Sequence, residues 1–307
     1  MKKVIEISNL SYSYKSDWTF KGFQALKEIN LDIFEGETFG FLGPNGSGKT
    51  TTIKCILGLI RPRSGKINIL GEDSRSPKAR TQVGYLPEQP YFYDHLSVQE
   101  LMEMYACLAG VEKLEIKTYV KEALQKVGML DRAGHRMRSL SKGLTQRVAF
   151  AQAIVAKPKV LILDEPFSGL DPLGRKEFRD LILELKSIGT TIFMSSHILS
   201  DVEFICSRAS IAVKGELKGV FNLSELQKTK RTKYELIVVN SGKAERDFIN
   251  MCETIHKEND LLRLIFSNEE AALLALKKSL DGGIGIRSYR PQHAALEDLF
   301  VDIVKSS

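Results

Sequence analysis

Very little in this 307-residue chain points to a membrane or to an oxidising compartment. No apolar run approaches the roughly 18 residues that a bilayer-crossing helix needs. The N-terminus is basic at Lys2 and Lys3, but Glu6 and Asn9 interrupt any apolar signal core. The chain is therefore expected to be neither exported nor membrane-spanning. Cysteines are few. Cys55, Cys107, Cys206 and Cys252 stand far apart and form no C-x-x-C pair, so they read as reduced core or surface thiols of a cytosolic protein. Strong charge is also missing: a net +6 permits contact with anionic lipid or nucleic acid and argues for neither. There is no internal repeat, no low-complexity segment and no sustained heptad. What remains is an ordinary globular composition and a length that suggests about two domains.

Against that background one octet stands out. Gly43-Pro44-Asn45-Gly46-Ser47-Gly48-Lys49-Thr50 fits the pattern G-x-x-x-x-G-K-[ST], which wraps the phosphates of a nucleoside triphosphate. Glycines let successive N–H groups point inward at phosphate oxygens. Lys49 is expected to reach the terminal phosphates, and the Thr50 hydroxyl to hold Mg²⁺. Thr51 is counted with the same nucleotide-binding set. A random chain of this length shows the pattern roughly 1% of the time. Its setting lowers those odds: Thr38–Leu42 is an apolar strand-type run, and residues 51–57 can continue as a helix whose positive end faces the anion.

The rest of the chain alternates in period. Val4, Ile5 and Ile7 begin a strand, and Ile29, Leu31 and Ile33 share one face of another. Lys66–Leu70 is a third, ended by Gly71. From Ser97 the period turns helical. Ser97 and Glu100 form a capping box, and Val98, Leu101, Met102, Tyr105 and Leu108 follow at helical steps. A second helix carries Ile116, Val120, Ala123, Leu124 and Val127, with Gly128 as its stop. This block resembles an insertion ahead of the strand Lys159–Leu163. Asp171-Pro172 opens a further helix as N-cap and first-turn proline, Gly189 ends it, and Thr190–Met194 is the next strand. Such alternation implies a mostly parallel sheet. The basic run Lys228–Lys233 reads as a linker near a domain boundary. Beyond it, strands at 234–239 and 261–266 and helices at 271–280 and 296–304 make a small α/β domain.

Val160–Leu163 runs into Asp164-Glu165, an expensive place for adjacent acids unless positive charge sits there. Mg²⁺ on a triphosphate supplies that charge. Asp164 can hold the metal through water, and Glu165 can accept a proton from the attacking water.

At this point the chain resembles the ATP-binding subunits of ABC transporters, over residues 1 to about 224. Leu140-Ser141-Lys142-Gly143-Leu144-Thr145-Gln146-Arg147 is similar to the family signature L-S-G-G-Q-x-Q-R. Ser168-Gly169-Leu170-Asp171 matches the loop after the second carboxylate, Ser196-His197 the switch histidine, and Tyr14 the aromatic that stacks on adenine. The resemblance implies an α/β fold: a P-loop ATPase core with a mostly parallel sheet, an antiparallel β subdomain and an inserted helical subdomain at about 88–155. This makes an ATP-binding domain at 1–224, followed by a small accessory α/β domain at 225–307. It implies hydrolysis of ATP to ADP and phosphate with Mg²⁺. Ser141 and the Gly143 backbone are then expected to reach the ATP of a second subunit, in a homodimer or a heterodimer. His197 is expected to bond the terminal phosphate and to orient the water or Glu165.

This sequence departs from the family pattern at three points. Lys142 replaces a glycine and Leu144 a glutamine. Glu88 stands where the family has a glutamine that meets Mg²⁺ and the attacking water. We expect Glu88 to take that catalytic and metal-side role, and the neighbouring Gln89 not to. Tyr91, Phe92 and Tyr93 are either core packing of the helical block or an exposed patch that receives a short helix of a membrane partner. The closing segment Ala295–Phe300 resembles the end of ATP-binding subunits of bacterial ABC-2-type exporters, which act with a separately encoded permease. The function implied is thus an ATPase that powers an integral membrane permease from the cytoplasmic face, without nucleic acid. The alternatives are a soluble ATPase of this class acting on nucleic acid or ribosomes, and a regulatory ATP sensor.

Overall fold

The computed structural model describes residues 2–14, 22–229, 233–240, 248–249, 251–292 and 295–306. Lys230, Arg231 and Thr232 of the basic run lie outside them. The chain divides into two compact units, Met1–Leu223 with Ile303–Ser307, and Ser224–Asp302.

The first unit is built on a six-stranded sheet. Its strands are β3 (Thr38–Leu42), β6 (Val83–Leu86), β7 (Val160–Asp164), β8 (Thr191–Ser196), β9 (Arg208–Val213) and β10 (Glu216–Asn222), in the order β10-β9-β3-β8-β7-β6. The five from β9 to β6 are parallel, and β10 is an antiparallel edge. Every residue of β3, β7 and β8 is buried. That explains why these strands read as unbroken apolar runs rather than alternating ones: helices cover both faces of a parallel sheet. The helix α1 (Lys49–Ile56) follows β3, and α6 (Pro172–Ser187) follows β7. Asp171 caps α6 by accepting from the Gly174 N–H at 2.8 Å. Register then lines up the carboxyl ends of three strands, with Leu42 beside Ser196 and Asp164 beside Ser195. In an open parallel sheet that edge is where ligands bind.

A four-stranded antiparallel sheet, β2-β1-β4-β5, joins β1 (Lys3–Tyr14), β2 (Phe23–Phe34), β4 (Ser64–Ile69) and β5 (Glu72–Asp73). Its apolar face, including Ile5, Ile7, Leu31 and Ile33, packs with Phe39, Phe41 and Ile53 in one core. A short helix, α2 (Pro77–Arg80), precedes β6, and between β6 and β7 the chain is helical, with α3 (Val98–Leu108), α4 (Ile116–Lys126) and α5 (Lys142–Ile154). The Ser97–Glu100 capping box is complete in both directions. Gly128 takes a φ of +67°, a left-handed turn that a Cβ would disfavour, just past the end of α4.

The second unit holds an antiparallel sheet of order β12-β13-β11-β14, from β11 (Lys233–Val239), β12 (Thr254–Glu258), β13 (Leu261–Phe266) and β14 (Ile286–Gln292). Ala272 and Ala275 of the helix Glu269–Asp281 share its core with Leu236, Val238, Leu262, Leu264 and Phe266. Glu235 is fully buried on β11 and carries its charge there because Arg263 and Arg290 both bond it, the latter at 2.7 Å. The four cysteines are free thiols. Cys55 and Cys206 are buried, and burial pushes the Cys55 thiol up to about 12, which keeps it unreactive.

Candidate functional site

The loop between β3 and α1 is shaped by glycine. Gly46 and Gly48 have φ of +79° and +102°, and Gly48 is the N-cap of α1. A Cβ on Gly43 would lie 2.3 Å from Ser47 Oγ and 2.5 Å from the Ala212 carbonyl oxygen, so the chain can pass there only without one. Beside Gly46 there is open space. Ser47 Oγ is buried and has no hydrogen-bond partner. A buried hydroxyl left unpaired is costly, and an anion seated in the loop would satisfy it. Lys49, in the first turn of α1, folds back over the loop: Nζ donates to the Gly43 carbonyl at 2.7 Å and lies 3.3 Å from Glu165 Oε1. Both of these side chains are buried.

The acid pair sits at the end of β7. Burial pushes the Asp164 carboxyl above its ordinary range, and hydrogen bonds from Ser195 and Thr50 and the charge of Lys49 pull against that. Thr50 and Asp164, two of the three residues expected to hold a metal, are thus in contact; Glu88 is the third. Glu165 leaves the strand with a φ of +48°. Its Oε2 accepts from the His197 backbone N–H at 3.3 Å and from His197 Nδ1 at 2.8 Å. An ionised carboxylate only accepts, so with Glu165 ionised Nδ1 is the donor in this bond. Lys49 and Thr50 at the start of α1, Asp164 and Glu165 at the end of β7, and His197 just after β8 therefore converge at the carboxyl ends of the parallel strands.

Other expected residues fall around this centre. The Tyr14 hydroxyl shares a hydrogen bond with Thr51 Oγ1 at 3.2 Å, and its ring stands edge-on to Tyr12. The half-exposed aromatic face of Tyr14 is therefore held beside the phosphate-loop helix. Glu88 is exposed beyond β6. Burial pushes the Tyr85 phenol up to about 12, and the negative charges of Asp164 and Glu88 add to the effect. Gln89 is exposed as well. Ser141 caps α5, accepting from the Leu144 N–H, and Gly143 has open space where a Cβ would be. Among the described residues, no hydrogen bond joins either to the phosphate loop. The aromatic trio divides: Phe92 is buried edge-on to Tyr105, whereas Tyr91 is 89% exposed and Tyr93 57%. Two residues escaped the sequence reading, Tyr85 and Ser195. Ser195 had a local signal in its place two residues before His197, near the end of β8.

Comparison with known proteins gives this geometry a family. The family model described as ABC transporter matches residues 26–168. An uncharacterized ABC transporter ATP-binding protein of Synechocystis sp. is 37% identical over 302 residues, spanning 97% of this chain and 84% of that protein. The chain belongs to the ABC transporter ATP-binding family. The bacitracin transport ATP-binding protein BcrA of Bacillus licheniformis is 33% identical over 99% of this chain and 98% of its own length. Among solved structures, a dimeric post-hydrolysis form of the ATP-binding cassette MJ0796, bound to ADP and Pi, superimposes with a TM-score of 0.66. It is 26% identical and covers 71% of this chain and 98% of its own. The P-loop ATPase fold is thereby established, and the family's chemistry is ATP hydrolysis.

The donor set of this ABC ATP-binding chain also fits magnesium. Thr50 and Asp164 offer hard oxygen ligands side by side. Among the described residues no three His, Cys, Asp or Glu side chains form a metal cluster. An ion held by one or two protein oxygens together with substrate phosphates needs no more than the Thr50 and Asp164 oxygens. No helix among the described residues is long and apolar enough to cross a membrane.

Proposed function

We propose that this chain, as part of a dimer, binds and hydrolyses Mg-ATP to drive a separately encoded membrane permease, as an exporter working from the cytoplasmic face. The observation that carries the reading is the gathering of Lys49, Thr50, Asp164, Glu165 and His197 beside the glycine-shaped loop. Residues 1–224 are the ATP-binding domain and 225–307 the accessory domain.

The loop from Gly43 to Thr51, including Pro44, Asn45, Gly46 and Gly48, wraps the phosphates with its backbone N–H groups. Tyr14 offers a flat face to the base. Lys49 exchanges its carbonyl and carboxylate contacts for the terminal phosphates, where its charge counters the charge that builds up during transfer. Magnesium, when bound at Thr50 and Asp164, supplies further neutralisation of the phosphate oxygens. Glu165 takes a proton from the attacking water, and His197 fixes the direction of that carboxylate. Glu88 holds the metal side of the water. Ser141 and Gly143 stand at the N-terminus of α5, where backbone N–H groups favour an anion. Among the described residues no hydrogen bond ties them to the loop of their own chain, which agrees with service to the nucleotide of a second subunit. The MJ0796 cassette, dimeric in its solved form, supports that arrangement. Tyr91 and Tyr93 form the face for a permease helix. The likeness to a bacitracin transport protein and the closing helix support export.

Calorimetry of the full chain with Mg-ATP tests the reading. Heat of binding is expected, together with ATP turnover. Glu165→Gln should still bind but turn over about 10²–10⁴-fold more slowly. It should also run as a dimer in gel filtration with ATP. Absence of binding heat, or full turnover by Glu165→Gln, would overturn it.

A further inference from the structure

We propose that Ser195 is a positioning residue that sets both carboxylates of the site; this rests on the roles assigned above to Asp164 and Glu165. Ser195 lies on β8 directly beside Asp164 in the parallel register, and it is fully buried. Its hydroxyl donates to Asp164 Oδ1 at 2.6 Å. The same oxygen accepts from the Glu165 backbone N–H at 3.0 Å. A serine hydroxyl has a single proton to give, so its torsion cannot change without breaking one of these bonds.

The geometry gives that hydroxyl a specific task. Neighbouring residues in a strand point to opposite faces of the sheet. A regular continuation of β7 would separate the two acids. Instead Glu165 turns into the left-handed region, at a φ of +48°, which a residue with a Cβ enters only at a cost. The Ser195 bond to its N–H holds the start of that turn. The Ser168 N–H, donating to the Glu165 carbonyl at 3.0 Å, closes it. The outcome is two acids with different partners: Asp164 with Thr50 and Ser195, and Glu165 with Lys49 and His197. The neighbouring Ser196 does something else. Its Oγ accepts from the Ile198 N–H at 2.9 Å and so shapes the turn after His197. In Ser195-Ser196-His197 the first serine orients the acids, the second forms the turn, and the histidine meets Glu165.

Threonine and valine separate the hydroxyl from its volume, since they have the same shape and only one keeps the donor. Full-length Ser195→Thr, Ser195→Val and Ser195→Ala are compared with the unaltered chain. The readouts are kcat and KM for ATP, the thermal midpoint, and the affinity of a fluorescent ATP analogue in magnesium and in EDTA. Ser195→Thr is expected to keep kcat within about threefold, whereas Val and Ala lose about tenfold or more with little change in KM. The affinity gained on adding magnesium should shrink in Val and Ala and persist in Thr. Equal kcat and equal magnesium gain in Thr and Val would overturn the proposal, as would Ser195→Ala with normal kcat. Ser195→Ala adds no volume and stays decisive if the larger side chains do not fold. If the unaltered chain binds the analogue yet hydrolyses no ATP, the roles of the acid pair fall first, and the proposal with them.

Discussion

Lys49 Nζ stands 3.3 Å from Glu165 Oε1, with both side chains at least nine-tenths buried. The cation proposed to meet phosphate and the carboxylate proposed to take the water's proton thus neutralise each other across the gap between α1 and the end of β7. An ion pair this buried is weak evidence for stability, but breaking it from one side leaves the other charge stranded.

Lys49→Ala is therefore expected to do two things. It abolishes the calorimetric signal with Mg-ATP, and it lowers the unfolding free energy by about 3 kcal/mol or more, because Glu165 keeps only His197. Adding Glu165→Gln should recover part of that loss. Urea unfolding of the two single variants and the double variant gives the coupling. Additive losses would mean that the pair is not energetically linked.

Tyr14 offers a test of base stacking separate from its bond to Thr51. Tyr14→Ala should weaken ATP binding by about 1–3 kcal/mol, the range for a base on an aromatic face. Tyr14→Phe keeps the face and loses one hydrogen bond, so its affinity should stay within about fivefold. Competition titrations with a fluorescent analogue read both. An alanine variant that binds normally would remove Tyr14 from the site.

Glu88 and Gln89 are both exposed, so exposure does not separate them, and the variants must. Turnover of Glu88→Gln is expected to stay within about threefold, and that of Glu88→Ala to fall about tenfold. Gln89→Ala should match the unaltered chain in a steady-state phosphate-release assay. Loss of turnover in Gln89→Ala alone would move the role to the neighbour.

In the second unit, burial pushes the Glu235 carboxyl up, but the bonds and charges of Arg290 and Arg263 outweigh it and leave the group below its ordinary value. A carboxylate depressed in the folded state adds stability above its unfolded value of about 4.3 and loses it as pH falls through the folded value. Amide exchange in β11 and β13 should thus accelerate as pH drops below about 4, beyond the intrinsic change. Glu235→Gln should be less protected at neutral pH and lack the acid-driven loss. Identical protection in both proteins across that range would exclude a stabilising role for the ion group.

What could be read in advance follows the reach of each interaction along the chain. The capping box of Ser97 and Glu100, the Asp171-Pro172 start of α6 and the phosphate loop are each written within eight consecutive residues. The buried strands β3, β7 and β8 were legible because burial on both faces demands unbroken apolar side chains. Two edge strands, β10 and β12, were not. In β12 (Thr254–Glu258) every residue is exposed or half-buried, and β10 is half-buried or exposed throughout. Such segments carry no apolar pattern, and only a neighbour's hydrogen bonds make them strands. Tyr91, Phe92 and Tyr93 could be separated only by the fold, because Phe92 has Tyr105 to pack on and its two neighbours do not share that contact.

The sequence by itself determined that a glycine-rich loop of the phosphate-binding pattern joins a strand to a helix, that acids follow a buried strand, and that a histidine follows the next one, because local chemistry needs only local spacing. Tertiary structure alone decided which of these groups touch. Ser195 is 31 residues from Asp164, and Lys49 is far from Glu165 in the chain, yet parallel register and a left-handed turn at Glu165 make them neighbours. Strand order is chosen by the packing of whole sheet faces, and no short stretch of residues encodes it.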